Sequence, residues 1–191
     1  MGNVEYDTHH VCPWWIGYLL IGPVRRIYHN PEKIVRQYVK PGMKILEIGP
    51  GMGFFSLPMA RLVGENGRVI CIDVQEKMLR ALERRAKRAG LIGRIHIRLA
   101  SGNSLPVNDI RGIVDFALLF AVVHEIPDRE QLFQEVYASM RSQSFLLLSE
   151  PKGHVTKEDY NLTLSFARHS GFEVVTHPTI WRSYSTVLKR M

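Results

Sequence analysis

Residues 44 to 53, KILEIGPGMG, constrain this chain most: an apolar run carrying one carboxylate passes directly into three alternating glycines, and a helically periodic run follows. Strand, tight turn and helix in that order open a βα unit of a parallel sheet. Glycines at 49, 51 and 53 let the backbone bend sharply and approach a ligand with no Cβ in the way. Their spacing decides between ligands. A dinucleotide site asks for G-x-G-x-x-G, whose last glycine would fall at position 54, and this chain has Phe54 and Phe55 there. Glu47, just ahead of Gly49, repels a diphosphate and suits a cationic or hydroxyl-rich ligand.

A second β-branched run, Arg68 to Asp73, again ends in a carboxylate. The tip of the strand beside a glycine loop is where an acidic side chain grips a ribose diol; the plainer alternative is a surface Asp capping the next helix. On the ordered pair of Glu47 with its glycines and Asp73, the chain resembles the class I S-adenosylmethionine-dependent methyltransferases, whose first motif is an acidic residue followed by G-x-G-x-G. The resemblance implies an α/β fold, a Rossmann-like doubly wound sheet of seven strands, mostly parallel with the last antiparallel, and helices on both faces. It implies S-adenosylmethionine as cofactor. Glu47 would meet the methionyl amino group directly or through water, Gly49, Pro50, Gly51 and Gly53 would pack on the methionine portion and ribose, and Asp73 with Val74 would hold the ribose end.

The rest of the chain alternates strand and helix, as a parallel sheet covered on both faces requires. Strands are expected at 44–48, 68–73, 95–99, 114–120, 144–149, 172–177 and 184–189. Helices are expected at 54–62, 76–89, 130–140 and 157–169, with Pro58 early in the first, where it is tolerated. Arg80, Arg84, Arg85, Lys87 and Arg88 share one helix. They read as a solvated face, so the net charge of +7 carries little information about a partner.

Three connections carry the remaining chemistry. Ser101, Gly102 and Asn103 follow the third strand, where the family has an Asp that meets the adenine amino group; the Ser101 hydroxyl or the Gly102 N–H then takes that task, and a plain polar loop is the alternative. Phe120, which the resemblance places at the cofactor, and His124 stand in FAVVHEIPD at the end of the fourth strand, a stretch that looks like the His-containing segment of small-molecule methyltransferases. No Asn/Asp-Pro-Pro-aromatic motif for base amino groups stands there, and neither Cys12 nor Cys71 is placed as a nucleophile, so nucleic acid is disfavoured. His124 is the expected general base, with Glu125 orienting it or facing water; the competing reading is that His124 only shapes the pocket. Glu150 and His154, after the fifth strand, are candidate substrate contacts. The segment Met140 to Ser144 replaces the family's Lys-Pro-Gly-Gly turn and is expected to matter to loop geometry alone.

Residues 1–30 form an arm ahead of a methyltransferase domain at 31–191. The arm places Trp14, Trp15 and Tyr18 before Arg25 and Arg26. It reads as a lid over the ligand, as an interfacial membrane anchor suited to a lipid-like acceptor, as in ubiquinone and menaquinone methyltransferases, or as a metal or metalloid site on His9, His10 and Cys12. Two cysteines far apart imply no disulfide framework and favour a cytoplasmic setting, with membrane association through the arm. The expected function is methyl transfer to a small apolar or amphipathic acceptor with no metal. A noncatalytic S-adenosylmethionine-binding protein, an RNA- or anionic-membrane-binding module, and a thiol or metalloid methyltransferase using Cys12 are the alternatives. The oligomeric state is not encoded in any motif.

Overall fold

The structure is a computed structural model and describes residues 29–101 and 104–191. Seven strands, β1 (Lys44–Ile48), β2 (Arg68–Asp73), β3 (Ile95–Leu99), β4 (Val114–Phe120), β5 (Met140–Pro151), β6 (Phe172–Thr176) and β7 (Ser183–Arg190), form one sheet in the order β3-β2-β1-β4-β5-β7-β6. β1 to β5 pair in parallel, and β7 runs antiparallel to both β5 and β6. The expected sheet, last strand reversed, is therefore present. Five helices lie among the described residues: α1 (Pro31–Val35), α2 (Ser56–Leu62), α3 (Glu76–Arg88), α4 (Arg129–Ser139) and α5 (Lys157–His169).

The strand sequences explain the layering. In β1, Ile45 to Ile48 are all buried, because successive side chains point to opposite faces and both faces are covered. Leu46, Ile48, Ile70 and Leu119 meet Leu132, Phe133 and Val136 of α4 and Leu164 of α5. Ile45, Val69, Phe116 and Leu118 meet Val35 of α1, Met59 of α2, and Leu79 and Leu82 of α3. β1 sits between β2 and β4, so the chain winds outward through β3 and returns to the other side of β1. That reversal opens a crevice at the carboxyl ends of β1 and β4.

Three boundaries differ from expectation. α2 begins at Ser56, because the backbone is still turning at Gly53 (φ 85°), while Phe54 and Phe55 are buried in the core instead of starting the helix. β5 begins at Met140: the expected turn at 140–144 is extended chain, with Met140 paired to Val114 and fully buried. The register shifts between Val114 and Phe116, and Gln143 takes a left-handed φ of 67°, which absorbs the irregularity. On α3, Arg80 pairs with Glu76 (2.7 Å) and Lys87 with Glu83 (2.6 Å) at the surface. Arg85 departs from that solvated face and donates to the carbonyl of Met52 in the glycine loop. No helix among the described residues is long and apolar enough to cross a membrane.

Candidate active site

The glycines of the β1–α2 turn have φ of 67° (Gly49), 53° (Gly51) and 85° (Gly53), a region other residues enter at a cost. Their surroundings separate their roles. A Cβ on Gly49 would lie 2.5 Å from Val122 Cγ2, and one on Gly53 would lie 2.5 Å from Leu82 Cδ1, whereas one on Gly51 would meet nothing within 4 Å. Gly49 and Gly53 thus let the loop close against the β4 connection and α3. Gly51 faces open space. The loop is pinned further by Gly49 N–H donating to the Ile72 carbonyl (2.9 Å) and Gly53 N–H to that of Pro50 (2.9 Å).

Glu47 lies beneath this loop and is 2 % exposed. The Ser56 hydroxyl, at the start of α2, donates to its Oε2 (2.5 Å), and the Cys71 thiol approaches the same oxygen (3.6 Å). Burial pushes the Glu47 carboxyl up to about 7; the Ser56 and Cys71 hydrogen bonds oppose this, and the charge of Asp73 adds to it. Of the two expected contacts with a ligand amino group, the one through water suits such depth. Burial also pushes the Cys71 thiol well up, with the charge of Glu47 adding to the effect, so Cys71 is an inert core residue.

Asp73 at the tip of β2 accepts from Gln75 N–H at Oδ1 (2.9 Å) and from Gly51 N–H at Oδ2 (3.3 Å). Burial raises it to about 6 against the pull of the Gln75, Gly51 and Val74 backbone N–H groups. A carboxylate has about four lone-pair sites, so these backbone contacts leave capacity for a further donor. Val74 is 43 % exposed beside it, and Leu99, opposite Asp73 in the β2–β3 register, is 49 % exposed. Two open apolar side chains flanking a carboxylate suit the flat face of a base and its sugar. Leu99 escaped the sequence reading, although its place at a strand tip next to Asp73 was the available signal.

The β4 connection forms the other wall. Ala121 has φ 55°, strained for a residue with a Cβ, and its N–H donates to the Ser149 carbonyl (2.7 Å). A short 3₁₀ turn, Val123–Glu125, follows. Glu150, near the end of β5, is 1 % exposed and gathers this turn: its Oε1 accepts from the N–H groups of Val122 (3.1 Å) and Val123 (3.0 Å), and its Oε2 from His124 N–H (3.4 Å) and ring Nδ1. The carboxylate that meets the His124 ring at hydrogen-bond distance is thus that of Glu150, while Glu125 Oε1 stands 3.9 Å from His124 Nε2. Parallel pairing is the reason: Phe120 is in register with Ser149, so the next residue of β5 lies directly under the β4 connection. For the same reason Glu150 is engaged inside the protein rather than open to substrate. The His154 ring stands edge-on to His124, centroids 5.5 Å apart. Burial pulls the His124 imidazole down, but the hydrogen bond and charge of Glu150 and the charge of Glu125 outweigh it, with Arg129 opposing them, and the net displacement is upward.

Phe120 packs tilted on Phe55 (4.5 Å) and edge-on to His29 (5.7 Å), which also reaches Trp181 by ring contact (5.9 Å) and by Nε2 to its carbonyl (2.8 Å). Trp181 is 48 % exposed and joins the site from the β6–β7 connection, too distant in sequence to be assigned from motif spacing. Ser101 is exposed and forms an isolated antiparallel bridge with Ser104. Gly102, Asn103 and the arm through residue 28, with His9, His10 and Cys12, lie outside the described residues. Among the described residues no group of three or more His, Cys, Asp or Glu side chains could hold a metal ion.

Comparison with known proteins adds three findings. The model of a family described as "Methyltransferase domain" matches residues 39–190. The ubiquinone/menaquinone biosynthesis C-methyltransferase of Vibrio vulnificus is 25% identical over 111 residues, which is 58% of this chain and 42% of that protein. The chain thus matches less than half the length of such curated relatives. Among solved structures, an S-adenosylmethionine-dependent methyltransferase from Aquifex aeolicus superposes with a TM-score of 0.80 at 23% identity, covering 93% of this chain and 98% of that one. An S-adenosylmethionine-dependent O-methyltransferase from Thermotoga maritima gives 0.67 at 20% identity, covering 85% and 64%.

Proposed function

We propose, for a chain that belongs to the methyltransferase domain family, transfer of a methyl group from S-adenosylmethionine to a small, apolar or amphipathic acceptor by in-line displacement. When bound, that cofactor supplies an electrophilic methyl on a sulfonium centre. The observation that carries the assignment is the Cβ-free space over Gly51, bounded by the half-buried carboxylate of Asp73 and the exposed side chain of Val74. Asp73 would hold the ribose diol, Gly49 to Gly53 would line the methionine portion, and Glu47 would set a negative potential beneath the amino group. Val74 and Leu99 would flank the base, with Ser101, Gly102 and Asn103 at its edge.

The acceptor would enter from the β4 side, between His124 and the aromatic wall of Phe120 and Trp181. An apolar aromatic acceptor, of the kind handled in the quinone pathways named for the Vibrio relative, suits that wall. His29 touches Phe120 and Trp181; the lid, anchor and metal readings of the arm rest on residues outside the described ones. Nothing in the chemistry asks for a metal.

Asp73→Ala tests the cofactor assignment. It should weaken S-adenosylmethionine binding by about 1.5–3 kcal/mol, the scale of a hydrogen bond to a charged group; unchanged affinity in calorimetry would remove Asp73 from the site. Incubating the protein with methyl-labelled S-adenosylmethionine and a metabolite extract then separates an enzyme, which forms labelled product, from a noncatalytic binding protein, which does not.

A further inference from the structure

The carboxylate–imidazole pair under the β4 connection is not needed to hold a cofactor. Glu150 Oε1 accepts from the Val122 and Val123 N–H groups, which anchors the turn. Oε2 is committed to His124, both backbone N–H and ring. An ionised carboxylate only accepts, so the ring atom facing it must carry a hydrogen, and the lone pair of a neutral imidazole then lies on Nε2. Among the described residues Nε2 makes no hydrogen bond; the nearest carboxylate oxygen is that of Glu125 at 3.9 Å. The groups facing the ring are Glu150 from β5, Glu125 from the ring's own turn, His154 from the β5–α5 connection and Arg129 from α4.

We propose that Glu150 is a positioning residue that fixes His124 with its proton on Nδ1 and Nε2 as the base, so that the acceptor of this site is one that loses a proton on methylation: a hydroxyl, a thiol or an acidic carbon. This rests on the methyl-transfer reading above. The acceptor's X–H bond breaks toward Nε2 as the X–C bond forms; the S–C bond breaks with its electron pair returning to sulfur, and His124 leaves the step as imidazolium beside Glu150. Tertiary amines and thioethers need no such base, and a site for them would need the Glu150 carboxylate only as the anchor of the turn.

Glu150→Gln separates positioning from anchoring. The amide oxygen still accepts from Val122 and Val123, the two shorter contacts to the turn, while the amide NH₂ gives up the 3.4 Å acceptance from His124 N–H and presents a donor to Nδ1. That inverts the tautomer and places the hydrogen on Nε2, where it blocks proton transfer. Nitrogen-15 NMR of histidine-labelled protein, with His124 assigned by comparison with H124A, reads this without any acceptor. The wild-type signal at alkaline pH should show a protonated Nδ1 and a bare Nε2, with His124 titrating above free imidazole. E150Q should reverse the tautomer and lower the titration midpoint. In parallel, labelled product from the metabolite extract should fall about 10²–10⁴-fold in E150Q, the range set by loss of a positioned base or its orienting group. A wild-type His124 protonated on Nε2, or product formation by E150Q at the wild-type rate, would overturn the proposal. If E150Q fails to fold, the wild-type spectrum still decides. Absence of product with wild-type protein would instead count against methyl transfer itself, while the spectrum continues to report on Glu150.

Discussion

His124→Ala should lower methyl transfer about 10²–10⁴-fold, the usual contribution of a positioned general base, while cofactor affinity changes by less than about twofold. The separation follows from where the ring is held. The groups that face it are Glu150, Glu125, His154 and Arg129, and none belongs to the glycine loop or to Asp73. The turn should survive the substitution, because Val122 and Val123 keep their hydrogen bonds to Glu150. Adding Glu150→Gln to His124→Ala should cost little more than His124→Ala alone, since two residues acting as one unit are not additive. The pH profile supplies an independent check. With its imidazole displaced upward, His124 is protonated over more of the neutral range than a free histidine, so wild-type turnover should climb as pH rises through that ionisation. The His124→Ala profile should lack the climb. Turnover at the parent rate in the alanine variant would leave His124 as a residue that only shapes the pocket.

Cofactor affinity should also depend steeply on pH, for a different reason. In the free protein Glu47 is raised to about 7 and Asp73 to about 6, in each case first by burial. A sulfonium amino acid above Glu47 and a diol at Asp73 both favour the ionised carboxylates, so binding should lower both values and release protons. The affinity is then fully developed above about pH 7 and weakens as pH falls, by up to tenfold per unit for each carboxylate once below its free-protein value. From pH 8 to pH 5 the combined loss should approach about a thousandfold. The stability of the free protein should move the opposite way. Folded-state values raised above the ordinary 4.5 for Glu47 and 3.8 for Asp73 contribute stability in acid that disappears as pH climbs through about 6 and 7. Calorimetry in buffers of different ionisation enthalpy would count the released protons; none released at neutral pH would contradict the coupling.

Sequence and structure meet closely where periodicity and local spacing carry the information. β1 to β4 occupy the expected spans, and the reversed last strand lies where the resemblance placed it. Glu47, Gly49, Gly51, Gly53 and Asp73 come together around one loop, because the βα turn and the parallel β1–β2 pairing bring them there through a chain segment that is local in sequence. Features that depend on distant pairing were out of reach. Glu150 could not be told apart from Glu125 as the partner of His124 without the β4–β5 register. Arg85 looked like one more solvated charge until α3 was docked beside Met52. Ser56 reads as an ordinary helix residue, yet its hydroxyl meets the buried carboxylate of Glu47. Trp181 and His29 reach one aromatic wall from points far apart in the sequence.

The central claim is that a Cβ-free bend beneath an anionic strand tip accepts a sulfonium nucleoside and rejects diphosphates. Isothermal titration of the full chain at pH 8 with S-adenosylmethionine, S-adenosylhomocysteine and a nicotinamide dinucleotide tests it most directly. The account predicts one saturable site for each of the first two, lost or strongly weakened in Gly51→Ala, and no binding of the third. Dinucleotide binding, or no heat from either sulfur nucleoside, would contradict it.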